Sequence, residues 1–133
     1  MSAENVEIVR RAYEAASRGD WDAAFESFDA EVEWEETSSL GPDASAYRGI
    51  EQVQTAIQSW VGMWNDYEIQ VHDYVDTGDQ VLLLARESGH GRTSGVSAER
   101  ELGEVFTLRD RTVMRVCLYG SWREALEAAG LRE

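Results

Sequence analysis

Apolar residues in this chain keep helical spacing near the N-terminus and then switch to the every-second-residue alternation of strands. Over Ala3 to Ser17, Val6, Val9, Ala12, Tyr13 and Ala16 recur at i, i+3 and i+4. Arg18-Gly19 ends that helix, and Asp20 is an N-cap for a second one from Trp21 to Phe28. In Glu31-Val32-Glu33-Trp34-Glu35-Glu36 the period becomes two, which predicts a strand. A turn-rich stretch with the only proline, Pro42, precedes a third helix over about Ile50 to Trp64. From Tyr67 the pattern predicts strands at Glu68–Asp76, Val81–His90, Val96–Arg109 and Thr112–Tyr119. Ser121 and Glu124 form a capping box that opens a last helix, and Gly130 stops it. The sum is one α+β domain over residues 1–133, without repeat or linker. Its expected form is a cone-shaped, curved antiparallel sheet wrapped around the three helices of the N-terminal half, with a short C-terminal helix. The open end of such a cone is a pocket.

Composition narrows the partners. The chain has 133 residues, 43% of them hydrophobic, enough for a real core. Its net charge of −14 repels phosphates, which argues against nucleic acid and an anionic membrane surface. The basic residues are all Arg, which we read as the composition bias of a GC-rich bacterial genome. Cys117 stands alone and makes no internal disulfide. The longest apolar run, Val81 to Ala85, is far short of the roughly 20 residues that span a bilayer. The first residues lack signal-peptide character, so the expected location is cytoplasmic.

Two acids interrupt apolar faces. Val32, Trp34 and Glu36 share one face of the first strand, while Glu31, Glu33 and Glu35 form a solvated one. Glu36 either lies on the core side, where an unpaired carboxylate is costly, or bends out to water as the strand ends. Glu104 sits in the row Leu102, Glu104, Phe106, Leu108. Its structural explanation is an ion pair with Arg115 or Arg86. Its functional one is a second carboxyl in the cavity of Glu36, the two driven apart in pKa to give a base and a proton donor. On the last strand, alternation puts Arg115 with Val113, Cys117 and Tyr119, and Met114, Val116 and Leu118 on the other face. Both faces are largely apolar, so the sheet is expected to be covered on both sides or to form a homodimer.

Other signals point away from cofactors. The glycines at 89, 91 and 95 join two strands and do not make a dinucleotide-binding loop. Two isolated His residues do not make a metal site. The expectation is a site with no cofactor and no metal.

Several segments resemble a known family. Ile8-Val9-Arg10-Arg11-Ala12-Tyr13, Arg18-Gly19-Asp20-Trp21 and Val32-Glu33-Trp34 look like the opening of a SnoaL-like protein of the nuclear transport factor 2-like and ketosteroid isomerase-like superfamily. Phe106 to Asp110 and Glu124 to Leu131 resemble its end, so the likeness covers essentially the whole chain. The superfamily implies the cone fold and spans isomerases, polyketide cyclases, dehydratases, epoxide hydrolases and non-enzymatic binders. By that resemblance Glu36 falls where ketosteroid isomerases place the proton-moving carboxylate, and Glu104 where they place the protonated acid of the oxyanion hole. The oxyanion-hole tyrosine falls on Ala12, with Tyr13 about 100° round the helix, and many SnoaL-like sequences carry His at the place of Glu104.

The functional expectation is a small cofactor-free protein doing general acid–base isomerase or cyclase chemistry on a hydrophobic carbonyl compound. Glu36 and Glu104 are the catalytic candidates, and Trp34, Trp60, Arg115 and Tyr119 the candidate substrate-binding wall. The alternative is a ligand-binding or structural homodimer in which Arg residues neutralise both acids.

Overall fold

The computed structural model describes residues 2–131. Helix α1 (Ser2–Ser17) is followed by a single turn, α2 (Trp21–Ala24), capped by Asp20 Oδ1, which accepts from Ala23 N at 3.3 Å. The second helix is shorter than its periodicity predicts because the chain reverses at Phe25 to Phe28, whose rings pack edge-on at 5.1 Å. Strand β1 (Phe28–Glu36) begins there. The turn-rich stretch contains a short 3-10 turn, Ser38–Leu40, and a small edge strand, β2 (Ala46–Arg48). Helix α3 (Ile50–Gly62), strands β3 (Trp64–Asp76), β4 (Gln80–Gly91), β5 (Ser97–Arg109) and β6 (Thr112–Tyr119), and helix α4 (Trp122–Ala128) complete the order. No helix among the described residues is long and apolar enough to cross a membrane.

The architecture is α+β, with one curved sheet in the order β2-β1-β6-β5-β4-β3. Its neighbours are antiparallel except β1 and β6, which run parallel. Alternation within single strands carries no information on that pairing. The β5–β6 hairpin turns through Asp110 and Arg111, both at positive φ, as a tight two-residue hairpin demands. The chain of α4 ends where Gly130 takes φ +78° and Leu131 N donates back to Leu126 O at 2.8 Å.

Two apolar clusters lie on opposite faces of the sheet. The concave face carries Val32, Trp34, Val81, Leu83, Phe106 and Val116 against Val9 of α1 and Val53 of α3. On the outer face Leu82, Leu84 and Val105 pack under Trp122, Ala125 and Leu126 of α4 and Ala129 at its C-cap. Of the two expected arrangements, a sheet covered on both sides or a homodimer, the first holds for this patch of β4 and β5, where the chain's own last helix is the cover.

A bulge corrects the reading of β6. Thr107 pairs with Arg115 but Leu108 pairs with Val113, leaving Met114 as the extra residue. Val113 thus joins Val116 and Leu118 in the concave cluster, and Arg115, Cys117 and Tyr119 take the outer face.

Candidate functional site

Strand register assembles one transverse row on the concave face. Glu36 pairs with Leu118, Leu118 with Glu104, Glu104 with Leu83, and Leu83 with Tyr74. Glu36 and Glu104 are thus two strand spacings apart, about 10 Å between Cα atoms, with Leu118 between them. Their surroundings differ. Glu36 is half-buried at the end of β1, and its Oε1 accepts from Ser45 N at 3.1 Å. Glu104 is 2% exposed.

The partner of Glu104 is a tyrosine, not a cation. Tyr13 Oη, from α1, donates to Glu104 Oε2, while Oε1 is buried with no partner. The interior stripe of α1 is wide enough to bury Ala12 and to bring Tyr13, one residue round, onto the concave face as well. Neither expected arginine reaches Glu104. Arg115 pairs with Glu35 and, at 4.0 Å, with Glu33. Arg86 pairs with Glu101 at 3.7 Å on the outer face. Burial, chiefly, and the charge of Glu87 push the Glu104 carboxyl up to about 7, against the lowering effect of the Tyr13 hydrogen bond. Burial and the adjacent carboxyl push the Tyr13 phenol well up from its ordinary value.

A second buried acid escaped the sequence reading. Glu87, 5% exposed, continues the concave row Val81, Leu83, Ala85. Its Oε1 takes Arg100 Nε from the facing residue of β5. Its Oε2 accepts from Tyr67 Oη and, at 3.3 Å, from Trp60 Nε1. Arg100 also donates to Leu40 O at 3.0 Å and lies over the Trp60 ring at 5.2 Å. Burial and Glu87 raise the Tyr67 phenol. The interior therefore holds two acid–tyrosine pairs of unlike kind, one matched by a guanidinium and one by a phenol alone.

The remaining candidates divide by face. Trp34 is 8% exposed in the concave core, and Trp60 joins the Glu87 cluster. Arg115 and Tyr119 lie on the outer face, Tyr119 beside Trp122 of α4, away from Glu104. A surface cleft of about 510 Å³ near α4 is lined by Ser39, Gly120, Ser121, Arg123, Glu124 and Glu127, and neither buried acid borders it.

The SnoaL-like domain family matches residues 9–116 of the chain. No curated protein matches it significantly. Among solved structures, a nuclear transport factor 2-like protein from Burkholderia thailandensis is 25% identical, with 86% of this chain and 88% of that one covered at TM-score 0.79. A protein of ketosteroid isomerase-like fold from Catenulispora acidiphila, solved with trimethylamine, is 19% identical, with 94% and 93% covered at TM-score 0.72. TerC, co-crystallised with polyporic acid, is 15% identical, with 96% and 98% covered at TM-score 0.77. With its fold matched over nearly the whole chain and the family matched over most of it, the chain belongs to the SnoaL-like domain family.

Proposed function

We propose that this protein binds a hydrophobic carbonyl compound within the cone and moves a proton next to that carbonyl, without a cofactor. The observation that carries the reading is the Tyr13–Glu104 pair, a buried carboxyl held by one phenol with its other oxygen free. Protonated on Oε1, Glu104 donates a hydrogen bond to the ligand oxygen while Tyr13 steadies Oε2. Glu36, in the same row of the sheet, is the proposed base. Its carboxylate takes an α-proton, the C–H pair becomes the enolate double bond, and the carbonyl π pair moves to the oxygen facing Glu104. Return of the proton to the same or a conjugated carbon completes an isomerisation. Trp34 and Trp60 supply apolar wall, and Arg115 and Tyr119 take no part.

The test is deuterium exchange at the methyl ketone of para-acetylbiphenyl, followed by NMR in buffered D2O. Exchange above the buffer rate is expected, falling by about a hundredfold or more in Glu104→Gln and in Glu36→Gln. Exchange at the buffer rate with wild type overturns catalysis on this ketone class. Saturable binding without exchange favours a second reading, a binding protein of the same fold. The bond from Ser45 N to Glu36, which occupies the proposed base, supports that reading. A homodimer is also proposed, using the outer surface of β1 and β6 where Arg115 ties Glu33 and Glu35. Sedimentation velocity reporting a single chain would remove it.

A further inference from the structure

Glu104 is 2% exposed and its free Oε1 is buried, so a ligand reaches that oxygen only when a covering segment moves. Helices and ladder strands make most of the cover, and opening them breaks many backbone hydrogen bonds. The link from β1 to β2, residues 37–45, is held differently.

That link crosses the concave face beside Glu104. Thr37 N and Oγ1 both donate to Leu118 O, at 3.0 and 2.7 Å, and Leu118 is the ladder partner of Glu104. Farther on, Leu40 O accepts from Arg100 Nη1 at 3.0 Å, and Leu40 packs against the concave core. Arg100 lies on the same face of β5 as Glu104, about 13 Å away between Cα atoms.

Every residue of the link is half-buried or exposed. Backbone bonds anchor its two feet, Thr37 N to Leu118 O and Glu36 N to Ser45 O, both at 3.0 Å. Side chains tie its middle to the rest of the protein. Arg100 grips Leu40 O, and Ser39 Oγ accepts from Gly120 N at 2.9 Å. Gly41 stands at φ +134°, and an added Cβ there would meet nothing within 4 Å, so glycine serves the backbone and not packing. Open clefts of about 510 and 420 Å³ separate Ser39 from Glu124 and Glu127 of α4 and leave the middle room to swing. The grip of Arg100 is fixed from inside. Buried Glu87 accepts from its Nε and is itself held by Tyr67 and Trp60, although the proposed reaction makes no use of this acid.

We propose that residues 38–44 are a lid on the cone and that Arg100, oriented by Glu87, is its latch. Opening breaks the bonds to Leu40 O and Ser39 Oγ and lifts Leu40 from the core, while the Glu87–Arg100 pair and the ladders stay intact. The ligand that enters rests on the carbonyl reading above, whereas the lid motion itself does not.

The first measurement is hydrogen exchange of the ligand-free full chain, with the Gly120 amide as reporter because its partner sits on the lid. This amide is expected to exchange through a smaller opening than the ladder amides of β4 and β5. Arg100→Met removes the latch, and Leu40→Ala loosens the lid with the ion pair left in place. Each is expected to speed Gly120 exchange about tenfold, and Leu40→Ala to do so with the ladder amides unchanged. When only the open fraction admits ligand, apparent association scales with that fraction. Association of para-acetylbiphenyl, followed by stopped-flow Trp fluorescence, is therefore expected to accelerate by the same factor in both variants. A purely structural role for Arg100 and Leu40 predicts no acceleration. Gly120 exchange that follows the ladder amides in all three proteins overturns the lid. Faster exchange without faster association overturns the gating alone. Failure of all three proteins to bind the ketone overturns the proposed function and the gating together.

Discussion

Two buried glutamates show how one residue type acquires two roles from its neighbours. Glu87 faces a guanidinium, a phenol and an indole N–H, whereas Glu104 has one phenol and a free oxygen. Replacing Arg100 by Met leaves Glu87 buried with neutral donors only. A loss of about 2–3 kcal/mol is expected in urea unfolding, below the value for a wholly buried pair because the Arg100 side chain is 34% exposed. Adding Glu87→Gln is expected to restore most of it, and a single variant within about 0.5 kcal/mol of wild type would show the pair to be dispensable. Glu104 is legible in the sequence as an acid inside an apolar row. Glu87 carries the same signal after Val81, Leu83 and Ala85, but the glycines at 89 and 91 make that end of the strand read as an approach to a loop. Tyr13 is hidden for another reason, since a wide buried helix stripe admits two adjacent residues and one-residue counting does not.

At the level of elements, local chemistry announces where a helix starts and stops but not what it covers. Ser121 caps α4 by accepting from Glu124 N at 3.2 Å, as its sequence pattern requires. That α4 lies on Leu82, Leu84 and Val105 follows only from the tertiary fold. The contact depends on Gly103, where an added Cβ would overlap Ala125 Cβ. Gly103→Ala is expected to cost about 1–3 kcal/mol and to weaken hydrogen-exchange protection in α4 before that in β4. Unchanged stability and protection would mean that α4 shifts freely on the sheet. The bulge at Met114 belongs to this scale too. It inverts the parity of β6 between Val113 and Arg115 and moves Arg115 from the expected pocket wall to a pairing with Glu35. Nothing in the alternation of that strand marks the extra residue.

For the whole molecule, the α+β class and most elements are legible in periodicity, while the parallel β1–β6 pairing and the strand order are set by long-range contacts. Those contacts put Glu104 in the interior, and its ionisation is then linked to folding. Below the ordinary carboxylate value of 4.5 it is protonated in both folded and unfolded chains, so it imposes no pH dependence. Between 4.5 and about 7 the unfolded chain releases the proton and the folded one retains it, so stability falls as pH rises. Above about 7 both states are ionised and the full penalty, about 3 kcal/mol, remains. Glu104→Gln keeps the shape without the charge. It is expected to match wild type near pH 4.5 and to exceed it increasingly up to about pH 8, measured by denaturant midpoints. Parallel curves for the two proteins across that range would refute the linkage.

The central claim, that the cone holds a carboxyl able to donate a hydrogen bond near neutral pH, is open to direct observation. The measurement is a 13C NMR titration of the Glu side-chain carboxyl carbons in the folded protein, with Glu104 assigned from the Gln variant. A midpoint near pH 7 for Glu104 is expected. A midpoint near the ordinary value of 4.5 would mean an ionised carboxylate at neutral pH, and the proposed donor to the ligand oxygen would be lost.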